Sequence, residues 1–473
     1  MINSSYRLVL HVRRYHEYNN SVNFICRRLN SSLSVSRKED LDDISNINVD
    51  DRPRLQKLRE RLKAEESSGV YSVERNQSFL KQIPNHSESI IEKNSNKRDS
   101  DKGGNIESLR LLIEELKEEE RKRQDNSISK SNMLIDRYNR HHNYLRISLS
   151  ERCNLRCLYC MPPEGVPLQP DQSLLSAHEI QHIVDMFVAS GVNKIRLTGG
   201  EPLLRNDLVD IIADIAKHKP MVKSIGITTN GITLSRHIRE LVEAGMTHAN
   251  ISLDTLNVGK FEEITRRRGL KKVLRAIDDA HQYLCSTENG YGRLKINCVV
   301  MKGFNDMELK DFVMYFTKDR SIDMRFIEWM PFNDNGWNAN RFVSYQDMLN
   351  KFEDDDNISL IRDRPSESKN DTTKWYRIPG HKGRVGFITS MSEHFCGTCN
   401  RLRITADGQL KVCLFGNQEI SLRDALRAGF NENDIQLLIG AAVRKKNFAL
   451  GGHGDMYGIR EANDNRPMTL IGG

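Results

Sequence analysis

The 473-residue sequence lacks several features that define large classes of protein. It has no run of about 18 or more apolar residues, which excludes a membrane-spanning helix. Its nine cysteines are too few for a disulfide-dense secreted scaffold. The formal net charge of +7 is modest for this length and does not by itself indicate a nucleic-acid partner. Aromatic residues make up only 7%, so we expect part of the chain to lie outside any hydrophobic core.

The first 38 residues are nearly free of acidic side chains. They contain six arginines, one lysine and a single acidic residue, Glu17, with serines and scattered apolar residues between them. This composition is typical of an organelle transit peptide, and residues 1–38 are predicted to be one. A disordered basic arm is the alternative.

Residues 39–137 are mostly polar, with Ser, Asn, Lys, Glu and Asp prominent. Such a segment buries too little apolar surface to offset chain entropy, so it is predicted to be a largely disordered linker. One helix is predicted at about 107–124, because Leu109, Leu112, Ile113 and Leu116 fall on one face. We interpret it as a solvated helix rather than as a partner-binding one.

From residue 138 onward short apolar runs alternate with helical periodicity. Six such runs, separated by helices, predict parallel βα units. No glycine-rich fingerprint of a doubly wound sheet is present, so a partial (βα)6 TIM-like barrel is expected over 138–330. The predicted strands are 144–149, 193–198, 222–229, 248–253, 294–301 and 323–329. Shorter strands and two helices near 420–446 predict a smaller α+β unit over 331–473 that packs on the barrel.

Three cysteines follow the first predicted strand in the spacing Cys153-x3-Cys157-x2-Cys160. A loop at this position belongs to the active-site face of a βα barrel. Three thiolates can bind three irons of a [4Fe–4S] cluster and leave the fourth iron open. Zinc is the alternative, although structural zinc usually takes four ligands.

A second group has the spacing Cys396-x2-Cys399-x13-Cys413. Taken alone, this group is ambiguous between zinc and an iron–sulfur cluster. Three cysteines again fit a cluster with one open iron. Two residues after Cys399, Arg401 and Arg403 flank Leu402 in a strand pattern that places both guanidinium groups on one face. Arginine forks suit phosphate oxygens.

Together these motifs resemble a known family. The CxxxCxxC group, GGEP at 199–202, FIEWMP at 326–331, the tract around the second cysteine group and the Gly472-Gly473 end occur in the expected order. They resemble the GTP 3′,8-cyclases, the molybdenum cofactor biosynthesis protein A family of the radical S-adenosylmethionine superfamily. The resemblance covers about residues 138–473 and does not extend to 1–137.

The resemblance implies a radical enzyme with two [4Fe–4S] clusters and S-adenosylmethionine. It would convert GTP to (8S)-3′,8-cyclo-7,8-dihydroguanosine 5′-triphosphate, the first step of molybdenum cofactor biosynthesis. The Gly472-Gly473 tail would enter the active site. By resemblance, the first cluster takes Cys153, Cys157 and Cys160, and the second takes Cys396, Cys399 and Cys413. The cofactor-binding positions are Tyr159, Gly200, Ser252 and Met330. The substrate-binding positions are Arg146, Arg196, Thr228, Lys295, Arg401, Leu402 and Arg403, of which Arg401 and Arg403 are also the catalytic candidates.

The resemblance also implies partners and a location. We expect a homodimer and a downstream enzyme, cyclic pyranopterin monophosphate synthase, with no nucleic-acid or membrane partner. A transit segment combined with iron–sulfur clusters indicates the mitochondrial matrix. Two other hypotheses stay open: a radical enzyme that acts on a peptide, and a zinc-stabilised binding module without catalysis. The RLR triplet favours GTP over a peptide.

Overall fold

The computed structural model describes residues 102–124, 132–285, 292–333, 335–353, 358–363, 370–462 and 466–472. The predicted transit segment, most of the predicted linker, most of the longer loop that the sequence predicts at 286–293, and Gly473 lie outside the described residues. No helix within the described ranges is long and apolar enough to cross a membrane.

One sheet of twelve strands runs through the described residues. The strands are β1 (Tyr144–Ser148), β2 (Lys194–Thr198), β3 (Ser224–Thr229), β4 (His248–Ser252), β5 (Arg293–Val300), β6 (Asp323–Glu328), β7 (Ile361–Arg362), β8 (Thr373–Arg377), β9 (Val385–Ile388), β10 (Arg401–Ile404), β11 (Gln409–Lys411) and β12 (Glu419–Ser421). Their order in the sheet is β12-β11-β10-β1-β2-β3-β4-β5-β6-β9-β8-β7. The strands from β10 to β9 in this order pair in parallel, and antiparallel strands extend both edges.

Helices connect the parallel strands and cover one face of the sheet. The helices are α1 (Lys102–Gln124), α2 (Ala177–Ala189), α3 (Leu208–Ala216), α4 (Ile238–Glu243), α5 (Val258–Thr265), α6 (Leu270–Cys285), α7 (Leu309–Thr317), α8 (Tyr345–Glu353), α9 (Leu422–Arg427), α10 (Glu432–Arg444), α11 (Met456–Glu461) and α12 (Met468–Ile471). The start of α2 is fixed by a capping box, in which Ser176 and Glu179 bond each other's backbone N–H groups. The six predicted βα units and the α/β fold class are confirmed.

The C-terminal strands do not form a layer of their own. β10 pairs in parallel with β1, with Arg146 opposite Arg403, and β9 pairs in parallel with β6. The predicted C-terminal strands at 373–377, 385–388, 401–404 and 409–411 are present, but they lengthen the barrel sheet at both edges. Local periodicity predicts a strand without predicting its neighbour, which explains the difference.

The two faces of the parallel sheet have opposite character. On the outer face, residues such as Leu145, Ile195, Ile227 and Leu402 are at most 1% exposed and join the main hydrophobic cluster with the helices. The alternate residues project from the other face, because successive side chains of a strand point to opposite sides. These inward residues are largely polar or cationic. The helices therefore leave a polar lumen along the strands.

Helix α1 confirms the predicted apolar face but not the predicted solvation. Leu109, Leu112, Ile113 and Leu116 are all buried within the main hydrophobic cluster. The helix packs on α9 and α10, and Lys117 Nζ lies 3.0 Å from Asp434 Oδ1 of α10. The interpretation as a solvated helix is wrong, because an apolar stripe of four residues is stabilised more by burial than by water.

We predict that Leu112→Ala lowers the free energy of unfolding by about 2–5 kcal/mol, since it removes buried methyl groups and leaves a cavity. The adjacent Leu111 is 54% exposed, so Leu111→Ala is expected to change it by less than about 0.5 kcal/mol. Urea unfolding of the full chain, followed by circular dichroism, measures both. Equal effects of the two substitutions would contradict the observed docking of α1.

Candidate active site

The inward face of the sheet carries a ring of cations. Arg146 on β1, Arg196 on β2, Lys295 on β5 and Arg403 on β10 each alternate with buried apolar residues of their strands. Arg196 and Arg403 are only 4% and 6% exposed. The structure thus brings four of the predicted substrate-binding residues onto the same face of one sheet.

Burial and mutual repulsion destabilise the charges of these groups. The pKa of Lys295 is lowered to about 7 by burial and by neighbouring cations, Arg325 first among them. The pKa of Arg403 is lowered to about 10 by burial and by Arg401. Neighbouring groups such as Asp323, which raises the pKa of Lys295, therefore compensate these positive charges only in part. A polyanion bound between these cations would relieve the repulsion and restore the pKa values.

Three residues that the sequence analysis missed belong to the same lumen. Tyr144 accepts a hydrogen bond from Arg196 Nε at 2.7 Å, and Arg325 donates two hydrogen bonds to Asn297 Oδ1. Lys194 lies 4.7 Å from the centre of the Tyr144 ring. Each of them stands two residues from another inward position, so strand alternation applied to the predicted strands contains the signal.

Several polar atoms in the lumen are buried without a hydrogen-bond partner among the described residues. They include Ser148 Oγ, Asn250 Oδ1 and Arg401 Nη1. Buried polar groups are normally satisfied, so such atoms indicate a polar ligand. Thr228, another predicted substrate position, accepts a hydrogen bond from Arg196 at 3.4 Å. Leu402 differs, because it is fully buried on the apolar face of β10, so its side chain points away from the lumen.

The first cysteine group lies in the loop that follows the carboxyl end of β1. Cys157 and Cys160 pack in an apolar cluster with Tyr159, Trp329 and Met301. Burial and the charge of Cys153 raise the pKa of Cys160 to about 12, and burial followed by Cys160 raises that of Cys157. The three thiols therefore lie near one another and stay protonated at neutral pH. Metal binding there must release protons.

The two glycines of GGEP allow the chain to pass close to this loop. A Cβ on Gly199 would lie 2.6 Å from Ser150 O, and a Cβ on Gly200 would lie 2.4 Å from Arg152 O. Both distances are far inside van der Waals contact, so only glycine fits. Gly200 N donates to Ser150 O at 2.6 Å, which fixes the segment beside the cysteine loop. The backbone is left close to the position where a ligand of the open iron would bind.

The remaining predicted cofactor positions surround the same end of the lumen. Tyr159 donates its hydroxyl to Asp254 Oδ2 at 2.8 Å and is 8% exposed. Ser252 ends β4, with Asn297 of β5 as its pairing partner. Met330 follows β6, and its carbonyl accepts a hydrogen bond from Asn335. The carboxyl ends of β1, β4 and β6 thus place these residues at one mouth of the barrel, as the sequence predicted.

The second cysteine group lies beside β10 and β11. Cys396 and Cys413 pack against an apolar cluster that includes Phe332 and Phe415. Cys396 Sγ accepts a hydrogen bond from Leu450 N at 3.5 Å. Burial raises the pKa of Cys399, but Lys446 and Arg401 outweigh it and lower the value to about 6. Cys399 is therefore a thiolate at neutral pH, the form that binds iron.

No set of three His, Cys, Asp or Glu side chains in the described ranges converges closely enough to hold a single metal ion. A cluster does not require such convergence, because each cysteine binds a different iron. The thiols of each group are near enough to influence one another's pKa, and backbone N–H groups point at Cys153 Sγ and Cys396 Sγ. Both groups fit an iron–sulfur cluster.

The two groups lie at opposite ends of the lumen. Cys153 follows the carboxyl end of β1, whereas Cys399 precedes the amino end of β10, and these strands are parallel neighbours. β1 is five residues long, so the ends are on the order of 15 Å apart. The cations of β1, β2, β5 and β10 lie between them.

Gly472 occupies the same lumen. Its carbonyl accepts a hydrogen bond from Arg403 Nη1 at 3.2 Å. A Cβ on Gly472 would lie 2.4 Å from Thr198 Oγ1 of β2 and 3.0 Å from Ser148 Cβ of β1. The last described residue therefore enters the space between the two cysteine groups, in agreement with the expectation for the tail.

Two family models match the chain. Radical SAM superfamily matches residues 147–316, and Molybdenum Cofactor Synthesis C matches residues 322–450. Proteins of the first family use an iron–sulfur cluster and S-adenosylmethionine, and the residues at 153–160 and 199–200 fit both. Membership of this superfamily confirms the prediction of one iron–sulfur cluster and of S-adenosylmethionine as a cofactor.

Named relatives match at high identity. The chain is 52% identical over 343 residues to molybdenum cofactor biosynthesis protein 1 of Dictyostelium discoideum, covering 72% of this chain and 52% of the relative. It is 50% identical over 350 residues to the mitochondrial GTP 3′,8-cyclase of Arabidopsis thaliana, covering 74% and 85%. It is 41% identical over 342 residues to the GTP 3′,8-cyclase of Alkaliphilus oremlandii, covering 72% and 100%.

The chain spans about half the length of the molybdenum cofactor biosynthesis protein 1 relatives that it matches. It covers the whole of the Alkaliphilus cyclase and most of the Arabidopsis one. The Radical SAM superfamily model matches the barrel, and the Molybdenum Cofactor Synthesis C model matches the C-terminal extension. Together with the identity to the two cyclases, these matches show that the chain belongs to the GTP 3′,8-cyclase family of the Radical SAM superfamily.

Proposed function

We propose that the chain converts GTP to (8S)-3′,8-cyclo-7,8-dihydroguanosine 5′-triphosphate, the first step of molybdenum cofactor biosynthesis. One observation carries the proposal: buried cations line a lumen with a cysteine triplet at each end. This arrangement suits a polyanionic substrate that must reach from one cofactor site to the other. The names of the two cyclase relatives support the same reaction.

Cys153, Cys157 and Cys160 hold the first [4Fe–4S] cluster, and Tyr159, Gly200, Ser252 and Met330 hold S-adenosylmethionine. When bound and reduced by one electron, this pair would supply a 5′-deoxyadenosyl radical that can remove hydrogen from GTP C3′; bonding of C3′ to C8 would then require one further electron from the reductant and a proton to give the dihydro product. The close approach of Gly200 to the cysteine loop and the position of Ser252 at the strand end support these assignments.

Arg146, Arg196, Lys295, Arg401 and Arg403 bind GTP through their charges. The lowered pKa values of Lys295 and Arg403 support an anionic ligand, because a triphosphate would add negative charge beside these cations. Thr228 adds a neutral hydroxyl beside Arg196. The backbone of Leu402 contributes by holding the two arginines of its strand on the lumen side. Arg401 and Arg403 also act as catalytic residues, because fixed charges in a dry site stabilise charge that develops during reaction.

Cys396, Cys399 and Cys413 would hold a second [4Fe–4S] cluster, which would supply a binding site for the guanine. The pKa of Cys399 near 6 supports a metal ligand at this end. The Gly472 carbonyl orders Arg403 and fills space between the strand ends, which keeps water from the radical.

The wider context is also a proposal. The product passes to cyclic pyranopterin monophosphate synthase, and the chain acts as a homodimer in the mitochondrial matrix. The basic, acid-poor residues 1–38 and the mitochondrial Arabidopsis relative support the location. We further propose that residues 39–137 are the linker, 138–330 the barrel and 331–473 the region of the second cluster and GTP site.

The activity is tested with the full chain, loaded anaerobically with iron and sulfide and given S-adenosylmethionine, GTP and dithionite. We expect 5′-deoxyadenosine to form in proportion to GTP loss. Arg403→Ala is expected to lower kcat/KM for GTP by about 10- to 100-fold, the loss of one charge-assisted hydrogen bond. Arg275 on α6 is 80% exposed, so Arg275→Ala is the charge-matched control.

Two outcomes would contradict the proposal. 5′-Deoxyadenosine formed with GTP untouched would indicate another substrate, such as a peptide. Absence of both products from protein with intact clusters would refute the radical reaction itself.

The role of the tail is tested by Gly472→Ala. Gly472 has φ +78°, and a Cβ would clash with Thr198. Gly380 has φ +79° with no atom within 4 Å of the built Cβ, so Gly380→Ala matches the backbone strain without the clash. We expect GTP turnover to fall about tenfold for Gly472→Ala only, because only there does the added methyl group clash and displace the tail; a tenfold loss corresponds to about 1.4 kcal/mol in the barrier. Wild-type turnover of Gly472→Ala would show that the tail is dispensable.

The second cluster is tested by iron content. Replacing Cys153, Cys157 and Cys160 together by Ala should leave about four irons per chain after reconstitution, and so should replacing Cys396, Cys399 and Cys413. The unchanged chain should hold about eight. Loss of all iron on replacing the first group alone would mean that the second group binds no cluster.

A further inference from the structure

Lys446 is a buried lysine beside the second cysteine group, and its side chain has an unusual set of partners. It is 2% exposed. Its Nζ lies 3.1 Å from Arg401 O, 3.0 Å from His142 Nε2 and 3.4 Å from Cys399 Sγ. An ammonium group has three N–H donors, so all three are used and one of them points at a cysteine sulfur.

His142 fixes the orientation of the Lys446 side chain. Its Nδ1 lies 3.0 Å from the Leu134 carbonyl, which accepts a proton but cannot donate one. The proton therefore sits on Nδ1, and Nε2 accepts the hydrogen bond from Lys446. His142 is fully buried, and burial together with the Lys446 charge lowers its pKa to about 3. The imidazole is thus neutral, a fixed acceptor for the ammonium.

The segment that carries His142 is itself tied to the second cysteine group. Arg140 forms an ion pair with Asp136 at 2.6 Å and donates from Nη1 to the carbonyls of Cys396 and Phe448, each at 2.7 Å. Arg140 and Asp136 are both buried, so this ion pair anchors the segment inside the protein rather than at its surface. It keeps Lys446 at one distance from Cys399.

The first cysteine group is bonded differently. Cys153 Sγ accepts from the Leu155 backbone N–H at 3.5 Å and from the Asn230 amide at 3.8 Å. Both donors are neutral, whereas the donor to Cys399 carries a full charge. A cation at hydrogen-bond distance from a ligand sulfur stabilises the more negative, reduced form of a cluster.

We propose that Lys446 is a positioning residue that donates a hydrogen bond to the ligand Cys399 and thereby raises the reduction potential of the second cluster. The proposal rests on the proposed second cluster. Lys446 acts through Cys399 and is not expected to touch GTP. Its effect is therefore a property of the cluster that can be measured without substrate.

The test uses the full chain with Cys153, Cys157 and Cys160 replaced by Ala, so that only the second cluster is present. A redox titration with dithionite, followed by electron paramagnetic resonance, gives the midpoint potential. Lys446→Met is expected to lower the equilibrium constant for reduction about tenfold, which for a one-electron couple is about 59 mV. Lys446→Arg, which keeps the cation, should restore most of it, and Lys445→Met is the charge control one residue away.

The outcomes separate the two proposals. An unchanged potential in Lys446→Met with full iron content overturns the role of Lys446. An equal shift in Lys445→Met would reduce it to a general charge effect and overturn it as well. Absence of iron from the parent with Lys446 intact refutes the second cluster instead. If Lys446→Met fails to retain iron, Lys446→Gln, which keeps a neutral donor, is measured instead. Its potential is expected to lie below that of the parent, and a potential equal to the parent's overturns the proposal.

Discussion

The burial of several positive charges along one face of a sheet is the constraint on which the rest of the structure depends. Arg146, Arg196, Lys295 and Arg403 all project into the lumen, and burial together with neighbouring cations lowers the pKa values of Arg146, Lys295 and Arg403. A protein interior tolerates such charges only where partners or a ligand compensate them. Arg196 donates hydrogen bonds to Tyr144 and Thr228, and although burial raises the pKa of Tyr144, Arg196 and the neighbouring cations lower it to about 6. An anion bound in the lumen would therefore stabilise these buried positive charges.

Apolar packing on the outer face of the same strands stabilises the fold and offsets the cost of burying these positive charges. Leu145, Ile195, Ile225 and Leu402 are buried with no measurable exposure in the cluster that joins the sheet to its helices. Because residues of a strand alternate, each inward charge is flanked by outward apolar neighbours that fix its position. Parallel pairing then places Arg146 of β1 opposite Arg196 of β2 and Arg403 of β10. The charges are held together by backbone hydrogen bonds rather than by attraction.

The sequence predicts the strands and several of the inward-facing residues, but it does not predict which distant segments pack together. Alternation identifies Arg146, Arg196 and Lys295 as inward and would also have identified Tyr144 and Arg325 in the same strands. It does not place β10 beside β1, because pairing between residues about 250 apart leaves no local pattern. The apolar stripe of α1 is visible in the sequence, and so are the two helices near 420–446, but the packing of α1 on these helices, α9 and α10, is not. Lys446 and His142 carry no sequence signal, since their meeting depends on two distant segments packing around Cys399.

The two ends of the lumen differ in electrostatics, and the difference gives the site a direction. At the Cys153 end, burial and thiol–thiol repulsion favour neutral thiols, so a bound cluster sits in surroundings that oppose negative charge. At the Cys399 end, Lys446 and Arg401 favour the thiolate. Negative charge is therefore stabilised most where β10 begins and least beyond the end of β1. A substrate that carries its charge on one side and an uncharged base on the other experiences a gradient along the strands, and the fixed cations between the ends decide how it lies.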